Sequence, residues 1–171
     1  MVELSRCTVT FLFTDIAGST RLWRDYRTTM EAVYARHDAV LRDAITAHRG
    51  VVYKVIGDAL QVAFSSATAA AAAAVEAQRQ LATEDWPVLG LPEPLRVRMA
   101  LHAGAVDPDV DHDYRSTVLN RIGRLLAAGH GGQTLLSQAT FELARDDLPT
   151  DVELRDLGEQ RLRDLGRPER V

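Results

Sequence analysis

Residues 8–20 read TVTFLFTDIAGST, and this stretch decides the fold. The residues before Asp15 alternate between two sets of β-branched and aromatic side chains, a period of two that predicts a β-strand. Asp15 then ends the strand, and the small residues after it let the backbone approach a ligand closely. A carboxylate can bind a hard cation, and the N–H groups at a helix start can bind phosphate. The stretch therefore fits a nucleotide-binding corner, or an ordinary strand end followed by a helix cap at Ser19 or Thr20.

Length and composition indicate one ordinary globular domain. The chain has 171 residues, of which 46% are hydrophobic and 26% charged, enough for one sizeable core. A net charge of −4 and a pI near 5.7 give no support for a nucleic-acid partner. Cys7 is the only cysteine, so no intramolecular disulfide is possible, and its apolar strand predicts that it is buried. No stretch resembles a signal peptide or a membrane span, and we expect a cytoplasmic protein without a membrane partner.

Helical and β patterns follow one another along the chain. Residues 51–56 and 59–64 predict a β-hairpin around Gly57-Asp58, and Ser65 or Ser66 can cap the alanine-rich helix that follows. The order predicts an α+β fold with a ferredoxin-like βαββαβ core and an additional C-terminal helix and strands. Helices would cover one face of a mostly antiparallel sheet, and the other face is a candidate dimer surface. The remaining predicted elements are helices at 22–48, 118–128 and 138–148, strands at 95–102 and 133–137, and two short strands within 152–165.

Two groups of polar residues could carry chemistry. Asp15 and Asp58 each follow a β-rich run, so neighbouring strands could bring both carboxylates to one sheet edge, where they would suit two divalent ions about 3.5–4 Å apart. Asn120 and Arg124 are four residues apart on a predicted helix and would present an amide and a guanidinium to a phosphate. Lys54 precedes Asp58 by four residues, but across a turn the two side chains need not face one site. The ordinary alternatives are a turn residue for Asp58, a solvated strand lysine for Lys54, a cap or surface amide for Asn120 and a surface ion pair for Arg124.

Four segments together resemble a known family. They read TVTFLFTDIAGSTRLW, GVVYKVIGDALQVAF, LRVRMALHAG and DYRSTVLNRIGRLLAAGHGGQTLLS. They are similar to the catalytic domain of the class III nucleotidyl cyclases, the adenylyl and guanylyl cyclases, in its bacterial actinomycete-type branch. The resemblance covers residues 9–165. It implies formation of cyclic AMP or cyclic GMP and pyrophosphate from a nucleoside triphosphate, through attack of the ribose 3′-oxygen on the α-phosphorus.

The resemblance also implies which residues hold metal and phosphate. Asp15 and Asp58 match the family's metal-binding aspartates, which hold two divalent cations, Mg²⁺ or Mn²⁺. The backbone carbonyl of Ile16 would assist the metal. The turn amides would bind phosphate, and they belong to Ile16, Ala17, Gly18, Ser19 and Thr20.

Four further positions match residues that bind the nucleoside and act on the transition state. Lys54 and Asp113 match the pair that recognises the base, Asn120 matches the residue that orients the ribose, and Arg124 matches the residue that stabilises the transition state. A lysine donor and an aspartate acceptor fit adenine, so the resemblance favours ATP as substrate. Guanylyl cyclase activity is the alternative.

In this family the sites lie at a head-to-tail dimer interface, so the resemblance implies a homodimer with composite sites. One departure from the family pattern is that residues 113–117 read DYRST, without the glycine and proline common there, which leaves the placement of Asp113 and Asn120 and the base selectivity open. A degenerate cyclase domain that acts in dimerisation or nucleotide sensing is therefore another alternative. We expect residues 1–171 to form a single catalytic domain, either a stand-alone enzyme or a domain excised from a longer chain and lacking a last strand.

Overall fold

The computed structural model describes residues 7–106 and 117–171. Five strands form the main sheet: β1 (Cys7–Ile16), β2 (Val51–Ile56), β3 (Ala59–Phe64), β4 (Val97–Val106) and β5 (Thr134–Leu136). The α-helices are α1 (Ser19–Asp25), α2 (Arg27–Ala47), α3 (Ala67–Thr83), α4 (Thr117–Ala128) and α5 (Gln138–Ala144). Two short strands, β6 (Glu159–Gln160) and β7 (Glu169–Arg170), pair near the C-terminal end.

The main sheet has the strand order β2-β3-β1-β4-β5. All neighbours are antiparallel except β4 and β5, which run parallel. The β2-β3-β1-β4 part, with α2 and α3 as its connecting helices, is the ferredoxin-like βαββαβ core. The predicted α+β class and the additional C-terminal helix and strands are confirmed.

Apolar residues of β1 serve two separate cores because successive side chains point to opposite faces of the sheet. Leu12 packs into the core that contains α2 and α3, whereas Phe11 and Phe13 pack into a second core with Ile122 and Leu125 of α4. The prediction that helices cover one face therefore holds for α2 and α3 and fails for α4. The aromatic residues of β1 offer α4 an apolar surface on the other face, so that face is not left bare.

Three local predictions also differ from the structure. The predicted helix 22–48 is broken at Tyr26, whose φ of −129° is not helical, so α1 and α2 are separate. Gly18, with φ 71°, precedes α1, and no side chain caps that helix, whereas Ser66 does cap α3 by accepting from the Ala69 N–H. Cys7 is exposed because it lies at the outer end of β1.

The C-terminal part also departs from its predicted pattern. Residues 152–157 form no strand, and the short pair forms instead between β6 and the later β7. The helix predicted to run through 148 ends at Ala144 and continues as a 3-10 turn, Arg145–Asp147. Among the described residues, none of the helices has the length and apolar character required to cross a membrane.

Candidate functional site

Asp15 lies at the end of β1, opposite Arg98 of β4 in the strand register. The Arg98 Nε donates to Asp15 Oδ1 at 2.8 Å, and a second guanidinium nitrogen donates to Oδ2. The Asp15 side chain is 23% exposed and that of Arg98 29%, so the pair is partly shielded yet open to solvent. Hydrogen bonding to Asp15 raises the pKa of Arg98 above its ordinary value, so the guanidinium stays charged.

Asp58 reaches the same edge from the β2–β3 turn. The backbone N–H of Ile16, the residue after Asp15, donates to Asp58 Oδ2 at 2.7 Å. β3 lies directly beside β1, with Leu60 opposite Thr14, and the turn brings Asp58 back over the end of β1. The two aspartates singled out from the sequence therefore do lie together at one edge of the sheet.

The β2–β3 turn is supported from α2. Gly57 has φ 61°, a left-handed conformation that glycine adopts without strain, and its carbonyl accepts from the Tyr34 hydroxyl at 3.4 Å. His37, one turn along α2, is 1% exposed, and its ring lies 6.1 Å from that of Tyr34. Burial lowers the pKa of His37 to about 4, so the ring beneath the turn is neutral at pH 7.

The segment after Asp15 turns sharply into α1. The Ala17 N–H donates to the Arg96 carbonyl at 2.8 Å, and the Gly18 carbonyl accepts from Leu22. Ile16 and Ala17 thus use their N–H groups within the protein. Gly18 directly precedes α1, and Ser19 and Thr20 begin it, where N–H groups have no partner within the helix. Of the five predicted phosphate donors, the last three are the ones whose position suits that role.

The oxygen donors at this edge fit a hard divalent cation. Two carboxylates and a backbone carbonyl are the ligand types that Mg²⁺ uses when phosphate oxygens and water complete its shell. Within residues 7–106 and 117–171, no cluster of three or more histidine, cysteine or acidic side chains is arranged to hold a metal ion. Among the described residues, the protein's ligands at this edge are the two carboxylates and the backbone carbonyl, which leaves room for phosphate and water oxygens around a cation.

Asn120 and Arg124 both lie on α4, and the first turn of that helix, which contains Asn120, is away from this edge within one chain. Gly104 of β4 approaches α4 so closely that an added Cβ would lie 2.6 Å from Val118. Gly104 is six residues along β4 from Arg98, about 20 Å in an extended strand. The first turn of α4, with Asn120, therefore lies near the opposite end of the strand from the carboxylates.

Arg124 has a partner of its own. Its Nη2 lies 2.8 Å from Asp164 Oδ2 in the C-terminal part of the chain. Lys54 is exposed on β2, the outer strand of the sheet, with β3 between it and β1. Asp113 lies outside the described residues. One chain therefore brings together Asp15 and Asp58 but does not bring Asn120 to them.

Arg98 is the residue at this site that the sequence did not reveal. The alternation in residues 95–102 predicts a strand, and Arg98 is one of its polar positions. Its pairing with Asp15 depends on the register between β1 and β4, two strands separated by 80 residues, from Ile16 to Val97. The one feature of the sequence that could have pointed to Arg98 is Asp15, a carboxylate at a strand end with no basic residue beside it in the sequence.

Comparison with known proteins places this geometry in a family. The family model described as adenylate and guanylate cyclase catalytic domain matches residues 2–170. An uncharacterised protein of Mycobacterium tuberculosis is 40% identical over 166 residues, which cover 96% of this chain and 54% of that protein. This chain thus spans about half the length of that relative.

More distant similarities are to proteins and structures named as adenylate cyclases. The adenylate cyclase of Neurospora crassa is 27% identical over 215 residues, which cover 95% of this chain and 9% of that protein. The solved structure of an adenylate cyclase from Trypanosoma brucei in its monomeric state has a TM-score of 0.84 at 26% identity, and the match covers 95% of this chain and 87% of that one.

Proposed function

Because this chain belongs to the adenylate and guanylate cyclase catalytic domain family, we propose that it is an adenylyl cyclase that converts ATP to 3′,5′-cyclic AMP and pyrophosphate. The observation that carries the proposal is the hydrogen bond from the Ile16 N–H to Asp58, which holds two carboxylates at one sheet edge. We further propose that residues 1–171 act as one catalytic domain.

The residues at the edge have distinct roles in this proposal. Asp15 and Asp58, with the Ile16 carbonyl, hold two divalent cations, Mg²⁺ or Mn²⁺. These ions would neutralise the charge of the triphosphate and increase the acidity of the attacking ribose 3′-hydroxyl. The N–H groups at the start of α1 hold phosphate oxygens, because the N-terminal end of a helix carries partial positive charge.

Arg98 changes its partner when substrate binds. In the free protein the Arg98 guanidinium neutralises the Asp15 carboxylate. Without Arg98, the negative charges of Asp15 and Asp58 would lie side by side without a counterion. With cations bound by the two carboxylates, the Arg98 guanidinium would be free to bind a phosphate oxygen of the substrate. Arginine suits this exchange because its planar fork fits carboxylate and phosphate equally well.

The second half of the site comes from a second copy of the chain. Asn120 lies toward the far end of the sheet from Asp15, so a site that uses both is completed in a head-to-tail homodimer. In it, Lys54 and Asp113 of the partner subunit read adenine, Asn120 of the partner subunit orients the ribose, and Arg124 of the partner subunit stabilises charge on the α-phosphate. As the 3′-oxygen bonds to phosphorus, its proton and the pyrophosphate leave.

An exposed apolar strip supports such an association. Val51, Val55 and Ile56 of the edge strand β2 are 63%, 45% and 54% exposed. By the strand register, Val51 and Ile56 share one sheet face and Val55 lies on the other. Exposed apolar side chains along an edge strand are unfavourable in water and are typical of protein interfaces. The strip adjoins Lys54, one of the residues that we assign to the partner's site.

A mixed-substrate assay tests the proposal. Equal ATP and GTP are supplied with Mn²⁺ over a series of protein concentrations, and both cyclic nucleotides are measured. We expect cyclic AMP to dominate, specific activity to rise with protein concentration, and Asp15→Asn to abolish turnover, whereas Asp25→Asn, at an exposed carboxylate on α1, leaves it intact. Cyclic GMP as the main product would instead assign a guanylyl cyclase. Nucleotide binding without any product would indicate a degenerate, sensing domain.

A further inference from the structure

The C-terminal segment, residues 158–171, is fixed across α4. Leu162 is 6% exposed and belongs to the same core cluster as Ile122 and Leu125. The Arg121 Nη1 donates to Glu169 Oε2 at 2.6 Å, and Glu169 is 6% exposed, so its carboxylate is buried, whereas the Arg121 side chain is 44% exposed. Apolar packing and a buried carboxylate together hold the segment against the helix.

The same segment presents a second carboxylate to α4. Arg124, three residues after Arg121 and hence on a neighbouring position of the helix surface, lies 2.8 Å from Asp164 through its Nη2. Asp164 has φ 58°, in the left-handed region, and the turn around it is closed by the Leu165 N–H, which donates to the Leu162 carbonyl at 3.2 Å. The turn aims the carboxylate at Arg124.

The chemistry of this pair conflicts with the role proposed for Arg124. An arginine that stabilises charge developing on phosphate acts through its positive charge, and a carboxylate at hydrogen-bond distance neutralises that charge. The two side chains are 42% and 62% exposed, so their pair is weak and can be exchanged for a more highly charged phosphate.

We propose that Asp164 competes with the transition state for Arg124: it holds Arg124 in both the free and the substrate-bound enzyme and must release it before the transition state forms. This inference rests on the proposed function, because it takes Arg124 as the residue that stabilises the transition state. Asp164 touches no reacting atom, so it is a positioning residue that sets how readily Arg124 becomes available.

Asp164→Asn is the direct test. Asparagine is tolerated in the left-handed region and has nearly the same shape, so the turn is preserved while the charge is lost. Asp164 pairs with Arg124 in both the free and the substrate-bound enzyme but not in the transition state. Removing this pair therefore raises kcat and leaves KM unchanged. We expect kcat to rise about 1.5- to 5-fold, the range that exposed ion pairs give, and the gain to shrink at high salt.

Two controls make the result specific. Asp156→Asn removes another exposed aspartate–arginine pair, that with Arg170, and should leave kcat unchanged. In an Arg124→Ala background, Asp164→Asn should have no effect on kcat, because the arginine for which Asp164 competes is gone; the contact of Asp164 Oδ2 with the Arg163 Nε at 3.7 Å takes no part in the proposal. A lower or unchanged kcat in the single variant, or the same gain without Arg124, would contradict the proposal.

A measurement that does not need catalysis separates this proposal from the proposed function. Phenylglyoxal modifies arginine side chains, and its rate at Arg124 can be followed by peptide mass spectrometry. The rate should increase in Asp164→Asn and not in Asp156→Asn. A wild-type chain that makes no cyclic nucleotide would refute the proposed function. An unchanged labelling rate at Arg124 in Asp164→Asn would refute the proposal that Asp164 holds Arg124.

Discussion

Replacing Asp58 by alanine and by asparagine separates its structural contribution from its chemical one. The Asp58 carboxylate accepts a hydrogen bond from the Ile16 N–H at 2.7 Å in a partly buried place. Alanine removes the acceptor and leaves that N–H unpaired, whereas asparagine keeps an acceptor oxygen and loses only the charge. Because a hydrogen bond to a charged group contributes about 1.5–3 kcal/mol, alanine should lower the free energy of unfolding by that amount and asparagine by about 1 kcal/mol or less.

The two variants should therefore differ in stability but not in activity. For a domain of this size, about 2–4 °C per kcal/mol places the alanine variant roughly 3–12 °C below wild type in Tm, with asparagine much closer to wild type. Both should lose at least about 100-fold in turnover, since both lack a metal-binding carboxylate. Calorimetry and a cyclic-nucleotide assay on the same preparations measure both effects. Full turnover by the asparagine variant would refute Asp58 as a metal ligand, and a wild-type Tm for the alanine variant would refute the anchoring bond.

Two further predictions concern Arg98 and the buried histidines. Arg98→Ala should raise KM for the nucleotide about tenfold or more, because a phosphate partner is lost. Arg21→Ala, which breaks an exposed pair with Glu93, is the control and should leave KM unchanged. Equal effects of the two variants on KM would contradict the role assigned to Arg98. Burial lowers the pKa of His37 and of His102 to about 4, below the 6.5 expected when unfolded, so the unfolded chain binds more protons between these values. The free energy of unfolding should therefore be fully maintained above pH 6.5 and fall as the pH drops toward 4. Denaturant titrations of wild type and His37→Phe at several pH values measure this fall. The same pH slope in both proteins would refute the contribution of His37 to the pH dependence of stability.

The second buried histidine illustrates what a sequence pattern leaves open. His102 is 6% exposed, and its Nδ1 lies 2.7 Å from the Ser137 hydroxyl, which also caps α5. Thr140, in the same network, accepts from the Ala103 N–H at 2.9 Å. These bonds tie β4 to α5, yet they join residues far apart in the chain, and no periodicity within either element indicates them.

The strands and the two aspartates were predictable because their signals are local. Alternation in β1 and the two β-rich runs around Gly57 determine the hairpin and place Asp58 in its turn. The sheet order then follows from the ferredoxin-like sequence of elements, which makes β3 a neighbour of β1. Asp15 and Asp58 meet as a consequence.

The other features depend on contacts that local pattern does not encode. Arg98 meets Asp15 only through the β1–β4 register, and Arg124 meets Asp164 only because a segment 40 residues later, from 124 to 164, crosses α4. The position of α4 on the second face of the sheet likewise depends on Phe11 and Phe13 being available to it. Each of these contacts depends on tertiary packing, and the local sequence around it is compatible with other packing arrangements.

Complementation between two inactive variants tests the central claim, a cyclase whose site is shared by two chains. Asp15→Asn removes a metal ligand and Arg124→Ala the residue proposed to stabilise the transition state, and each homodimer alone should be inactive or nearly so. In an equal mixture half of the dimers are mixed, and each has one intact site, so roughly a quarter of wild-type cyclic AMP production should return. A mixture that remains as inactive as its components, while still exchanging subunits, would contradict the composite site.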